Sequence, residues 1–261
     1  MTTEISGYWG PPTSTVDWCE TNHEHVYYVS ELFNSVSSLA MVIVGVLGLA
    51  LHRQVLERRF ILAFALVSVV GLGSIAFHST LRFEHQMMDE LPMLYLASVI
   101  AYILLENRPE RRFGVWLPLA LVAYALVATA LTAGMRGKLQ FYLFHASFTT
   151  LELFALVGTW LIHRRSTDVR GRRIFRIGMS SYAIAIIVWR SDISFCSTLN
   201  QTLPSMGIPN PQLHAWWHVL VSLGFYALLL VIAHNRLRTL GKAPEFRFAA
   251  GFIPIVRPTT P

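Results

Sequence analysis

The sequence predicts an all-α integral membrane bundle of seven transmembrane helices, and two observations carry that reading. Only 14% of the 261 residues are charged while 54% are hydrophobic, against roughly 25% charged in a soluble domain. The charges also cluster between long apolar stretches, which reach the ~20 residues needed to cross hydrocarbon. Several membrane spans, rather than one water-soluble core, account for this pattern.

In chain order, the first span covers 32–51 and the second 60–80, which has no charge from Phe60 to Phe77. The third, 90–106, is short and bounded by Glu90 and Glu106. The fourth covers 113–134. The fifth, 139–163, contains Glu152, and the sixth, 174–196, contains Arg176, Arg190 and Asp192. The seventh covers 213–235. Each is a length that only a helix sustains in lipid, where backbone groups must be satisfied internally. The chain divides into an N-terminal segment 1–31, a seven-span domain 32–236 and a tail 237–261. Residues 1–31 lack the basic start and apolar stretch of a signal peptide, so the first span is expected to act as the insertion signal.

Orientation follows from the basic residues. None precedes Arg53, whereas arginines crowd the connections after spans one, three and five and the tail. The other side has only Arg82, Arg136 and Lys138. The positive-inside rule then puts the N-terminus outside or lumenal and the C-terminus in the cytoplasm, which an odd span count requires. The same rule accounts for the net charge of +6. With no DNA or RNA motif present, nucleic acid is not an expected partner. Cys19 and Cys196 both fall on the outer side, where a disulfide can persist; two unrelated buried thiols are the other reading. The sequon Asn200-Gln201-Thr202 falls there too.

Three of the ten histidines stand out by position. His214 and His218 are four apart at the start of span seven and share one helical face, a spacing at which two imidazoles hold one metal. His78 ends span two at the same outer depth. Three histidines from two helices leave a tetrahedral zinc ion one open position. Ser74 shares the face of His78, and Asp89 opens span three from the same side. A metal, a carboxylate and a hydroxyl are the parts of a metal-assisted hydrolase. The other histidines read as bland: His52, His163 and His234 at inner helix ends, His23, His25 and His85 solvated outside, and His145 in span five with no assigned role. Asp17, Glu20, Asn22 and Glu31 offer hard oxygen ligands of the kind calcium takes, although an acidic solvated segment explains them as well.

At these residues the sequence resembles the alkaline ceramidase family. The resemblance is carried by Gly7-Tyr8-Trp9-Gly10, Thr13-Ser14-Thr15-Val16-Asp17-Trp18-Cys19-Glu20, Gly73-Ser74 with Phe77-His78, Asp89-Glu90-Leu91-Pro92-Met93, Phe195-Cys196 and His214-Ala215-Trp216-Trp217-His218. It implies a seven-helix intramembrane zinc hydrolase that cleaves the amide bond of ceramide to sphingosine and a free fatty acid. Carried over residue by residue, it implies His78, His214 and His218 as zinc ligands, Asp89 as acid/base and Ser74 as the hydroxyl supporting the tetrahedral intermediate. It further implies a Ca2+ site made by Asp17, the Trp18 carbonyl, Glu20, Asn22 and Glu31, and a Cys19–Cys196 disulfide. Two departures from the family pattern are His23-Glu24-His25 and Arg190. The implied partners are ceramide and membrane lipids, with no obligate protein partner. The implied location is the endoplasmic reticulum or Golgi membrane in a eukaryote, or the inner membrane in a bacterium. The competing readings are a seven-helix zinc-containing receptor, resembling adiponectin receptors, and a hydrolase of another lipid amide or ester.

Overall fold

The described residues of the N-terminal segment form no helix and are folded onto the bundle. A computed structural model describes residues 7–259, so residues 1–6 of the segment and 260–261 of the tail lie outside the described residues. The N–H groups of Ser30 and Glu31 donate to the carbonyls of Ser79 and His78, and those of Thr13 and Ser14 donate to Leu81. Leu81 takes a left-handed conformation, with φ of 49°, and closes the helix that carries His78. The segment therefore caps one end of the bundle.

The first span is a run of two helices, α1 (Leu32–Ser37) and α2 (Leu39–His52), joined at Ser38. Then come α3 (Arg58–Thr80), α4 (Phe83–Leu105), α5 (Trp116–Gly134) and α6 (Gly137–Arg165). α7 (Val169–Ser194) is capped by Asp168, whose carboxylate accepts the N–H groups of Arg170 and Gly171. A π-helical turn (Thr198–Thr202) and the short α8 (Leu203–Ser205) lead to α9 (Leu213–Thr239). Among the described residues, six helical runs are long and apolar enough to cross a membrane, and a seventh is obtained if α7 and the following turns, bent by 74°, count as one. The all-α membrane bundle is what the composition predicts. Its core is α9, packed most extensively by α7 and then by α2, α1 and α6. α5 is the peripheral helix: Leu119, Val122, Leu126 and Val127 are exposed, as a lipid-facing surface requires.

Two departures from the sequence reading have physical reasons. α4 begins at Phe83, seven residues before the expected start at Glu90. Its first two turns are polar on the side that is buried: Gln86 donates to Glu90 (2.8 Å), and Gln140 of α6 donates to Glu90 (2.5 Å). The residues read as a tail extend α9 to Thr239 and then form an antiparallel hairpin, β1 (Pro244–Ala249) with β2 (Ile253–Pro258). Phe246 and Val256 face each other and are buried. The hairpin covers the arginine-rich end, where His52 Nε2 accepts from Val256 N–H (3.3 Å) and His234 stacks on Phe246. These two histidines, at helix ends as the sequence predicts, are parts of a packed seam.

α3 and α4 approach unusually closely. Pro92 lies inside α4 and cannot donate to the carbonyl four residues earlier, that of Met88. Gly73 of α3 lies against this carbonyl: a Cβ placed there would be 1.9 Å from Met88 O and 2.8 Å from Asp89 N. Gly73→Ala should therefore force the helices apart. We expect a destabilisation of about 1–3 kcal/mol, read as a lower midpoint of thermal unfolding in detergent. An unchanged midpoint would mean that the contact is slack.

Candidate metal centre and cavity

The three histidines singled out by depth meet in the structure. His78 comes from the last turn of α3, and His214 and His218 from the first turns of α9. All are buried, and one ligand atom from each lies within 4.8 Å of the others. Their ring centroids are 4.7–5.2 Å apart. No other group of three or more His, Cys, Asp or Glu side chains is gathered in this way among the described residues. Burying three imidazoles together is costly unless something satisfies them. His214 Nδ1 has no hydrogen-bond partner among the described residues.

Each histidine is oriented by a neighbour. His78 Nδ1 is in direct hydrogen-bond contact with the Glu31 carboxylate. His218 Nδ1 is 2.8 Å from Ser37 Oγ. His214 is held differently: its ring stacks on Trp18, centroids 3.9 Å apart, and its N–H donates to Asp192 Oδ1. Metal-binding histidines ordinarily fix their tautomer and ring angle through such outer partners. The segment 7–31 and α1 thus touch all three rings. Ser74 Oγ is 3.4 Å from His218 Nε2 and 2.9 Å from Ser38 Oγ. Ser38 gives its own hydrogen to the Asn34 carbonyl. The Ser74 hydrogen is thus free to go to Ser38 Oγ or to His218 Nε2, and rotation about Cβ–Oγ re-aims it.

Beside the histidines opens the largest cavity described, about 260 Å3. Asp89, Glu90, Trp18 and His214 line its polar end, and Val67, Val70, Leu96, Leu156 and Phe225 line its apolar depth. From His214 to Phe225 the cavity follows α9 for eleven residues, about 16 Å at 1.5 Å per residue. His145 also lines it, stacked 5.8 Å from Trp189. The dimensions suit an extended chain lying along the bundle with its polar group at the histidines.

The oxygen-rich N-terminal residues are less tightly gathered. Asn22 Nδ2 donates to both oxygens of Asp17 (3.1 and 3.0 Å), and Asn22 Oδ1 is buried with no partner. Glu20 accepts the N–H groups of Phe33 (2.7 Å) and Asn34 (2.9 Å) at the start of α1. Glu31 accepts from Trp18 N–H (3.0 Å) and Asn34 Nδ2 (3.2 Å). Burial pushes the Glu20 carboxyl up to about 7 and Glu31 up to about 8, and the charge of each raises the strain on ionising, Glu31 on Glu20 and Asp192 on Glu31.

Comparison with known proteins decides the family. The family model described as Ceramidase matches residues 10–257, which is nearly the whole chain. This chain belongs to the ceramidase family. Among its similar relatives, mouse alkaline ceramidase 3 is 33% identical, with 96% of this chain and 94% of the mouse protein covered. Alkaline ceramidase from Arabidopsis thaliana is 28% identical, covering 98% of this chain and 97% of the plant protein. Alkaline ceramidase YPC1 of Saccharomyces cerevisiae is 26% identical, covering 94% and 83% respectively.

In this ceramidase-family chain, Cys19 and Cys196 form a disulfide across 177 residues of sequence. Asp192 reinforces it by accepting from Cys19 N–H (3.3 Å) as well as from His214 N–H, so one buried carboxylate ties the N-terminal segment to α9. Cys196→Ser should cost about 2–4 kcal/mol; an unfolding midpoint equal to that of wild type would show that Asp192 suffices alone. The Asn200 nitrogen, the atom a glycan would occupy, instead donates to the Cys19 carbonyl at 2.6 Å. His23 departs from its expected solvated place: it is buried, with Nε2 3.0 Å from Ser30 Oγ, and its ring packs on Gly7. The outer partners Ser37 and Asp192 were not singled out by sequence. From sequence, this neighbourhood is signalled by the span directions that bring His78 and His214 to one depth and by the four-residue offsets of Ser74 from His78 and of His214 from His218.

Proposed function

We propose that this chain hydrolyses the amide bond of ceramide, releasing sphingosine and a free fatty acid, at a zinc centre held by His78, His214 and His218. The observation that carries the reading is the gathering of three buried histidines, one of which, His214, lines an apolar cavity that Asp89 also lines, in a member of the ceramidase family. The ligand set fits the ion. Three imidazoles suit zinc better than calcium or magnesium, two of them have outer partners, and His214 Nδ1 is a buried nitrogen lacking one. When bound, zinc supplies a Lewis acid that polarises the amide carbonyl and makes water nucleophilic near pH 7.

The chain's own residues do the rest. The cavity buries the acyl and sphingoid chains, each CH₂ contributing about 0.8 kcal/mol. Asp89 takes a proton from the attacking water and delivers it to the departing nitrogen. Ser74, after rotating away from Ser38, donates to the oxygen that gains charge. Glu31 and Ser37 hold the His78 and His218 rings in place, and Trp18 holds His214. The test is to purify the protein, assay fatty acid release across a ceramide panel and measure bound metal. About one zinc per chain with release from at least one ceramide is expected; bound zinc without turnover on any ceramide would remove the ceramidase reading and favour a receptor.

A calcium ion bound by Asp17, the Trp18 carbonyl, Glu20, Asn22 and Glu31 is the second part of the proposal. It is supported by the unpartnered Asn22 Oδ1 and by two buried carboxyls that resist ionisation. The sign is testable. Carboxyls raised to about 7 and about 8 keep protons that the unfolded chain releases near 4.5, so their stabilisation is complete below about pH 4.5 and lost as pH rises through 7–8. Chelated protein should melt progressively lower from pH 5 to 8, and added calcium should flatten the curve. A curve identical with and without calcium would remove the ion from the reading. The outside or lumenal N-terminus, and residence in endoplasmic reticulum or Golgi (inner membrane in a bacterium), belong to the same proposal.

A further inference from the structure

At the arginine-rich end, the close of α6, the start of α7 and the close of α9 enclose a second, small cavity of about 30 Å3, bounded by Phe246 of the hairpin. Its polar lining consists of His163, Arg165, Ser166, His234, Asn235 and Arg238. The nearby carboxylate, Asp168, is committed: its oxygens accept from Arg170 N–H (3.1 Å) and Gly171 N–H (2.9 Å), and Oδ2 is 3.5 Å from His234 Nε2. Arg236 and Arg59, on the same end, share Glu57. Arg165 and Arg238 have no carboxylate or carbonyl partner among the described residues, and both are exposed. The Asn235 amide is likewise unengaged, and His163 Nδ1 is buried with no partner while its ring stacks on Phe175.

We propose that this cavity binds a phosphate group, clamped between Arg165 and Arg238 with Asn235 and His163 as further donors. Its volume admits about two or three water-sized groups, room for two or three of a phosphate's four oxygens and far too small for an acyl chain. Guanidinium forks match phosphate oxygens in pairs. Helix ends of spans lie at headgroup depth, where basic clusters between helices take anionic lipids. A phosphate there joins the α6–α7 turn to α9 and the hairpin. The site is remote from the histidines, and the inference does not depend on the reaction they perform.

The experiment uses the full chain. In lipid nanodiscs, replacing phosphatidylcholine by phosphatidylglycerol should raise the unfolding midpoint, and native mass spectrometry should show retained phosphatidylglycerol. Arg165→Gln and Arg238→Gln should each weaken that retention about fivefold, and together about 25-fold, with the unliganded midpoint unchanged. In detergent, inorganic phosphate is the second arm: an arginine-dependent rise there also supports the site and identifies a soluble source. Phosphatidylglycerol retention unaffected by the double variant, or no response to either phosphate source, overturns the proposal. Should the double variant not fold, Asn235→Ala replaces it, with weaker retention expected and unchanged retention overturning.

Discussion

His78→Ala should lose both bound zinc and ceramide hydrolysis, the latter at least about a thousandfold, because the metal's lowering of water's pKa to about 7 goes with it. His78 is the one ligand contributed by α3, while His214 and His218 share α9. Its removal leaves two imidazoles on one helix and strands the buried Glu31 carboxylate, whose contact it makes. Metal analysis and fatty acid release, measured on the same folded preparation, check the result. Full zinc occupancy in the variant would show that the centre is held by other residues.

Asp89→Asn should behave in the opposite way with respect to metal. Asp89 lines the cavity beside Glu90 and His214 but is not among the gathered ligands, so zinc content should stay at the wild-type level. Removal of a general acid/base costs about 10²–10⁴-fold, and it should fall on kcat with KM little changed. Asparagine keeps the volume and leaves the Gly73–Met88 approach undisturbed, so the unfolding midpoint is the control. A kcat within threefold of wild type, about 0.65 kcal/mol of barrier, would assign the proton transfer elsewhere; Glu90 is the adjacent carboxyl to examine, although Gln86 and Gln140 already bond it.

Much of this centre was legible in the sequence because the direction of spans fixes depth. Once the second span is read upward and the seventh downward, His78 and His214 must lie at one end. Apolar length also located most helices to within a few residues, since a lipid-facing surface is apolar wherever it occurs. It failed at α4, where Gln86 and Glu90 are fully or almost fully buried: hydropathy does not separate a polar side chain packed inside a bundle from one in water. The hairpin was missed although Phe246 and Phe248 alternate with charged residues before Ala250-Gly251, a short two-residue period easily lost in a basic tail. The partner Trp18 depends on chain folding back over the helix ends, and Ser37 and Asp192 depend on how α1 and α7 pack beside α9. Spacing carries no signal for that; the family resemblance placed Glu31 and Trp18 near calcium, and the structure shows the Glu31 carboxylate on His78 and the Trp18 ring on His214.

The way the N-terminal segment and α1 together reach all three histidines has a consequence for biosynthesis. The rings come from α3 and α9, and the groups that orient them include residues 18, 31, 37 and 192. A chain emerging from the ribosome holds the first of these parts more than 170 residues before the last, so no partial product contains a complete centre. Assembly waits until the final helix has entered the bilayer and the leading segment has closed over it. A centre of this kind is thereby incomplete throughout synthesis and is finished only with the whole molecule.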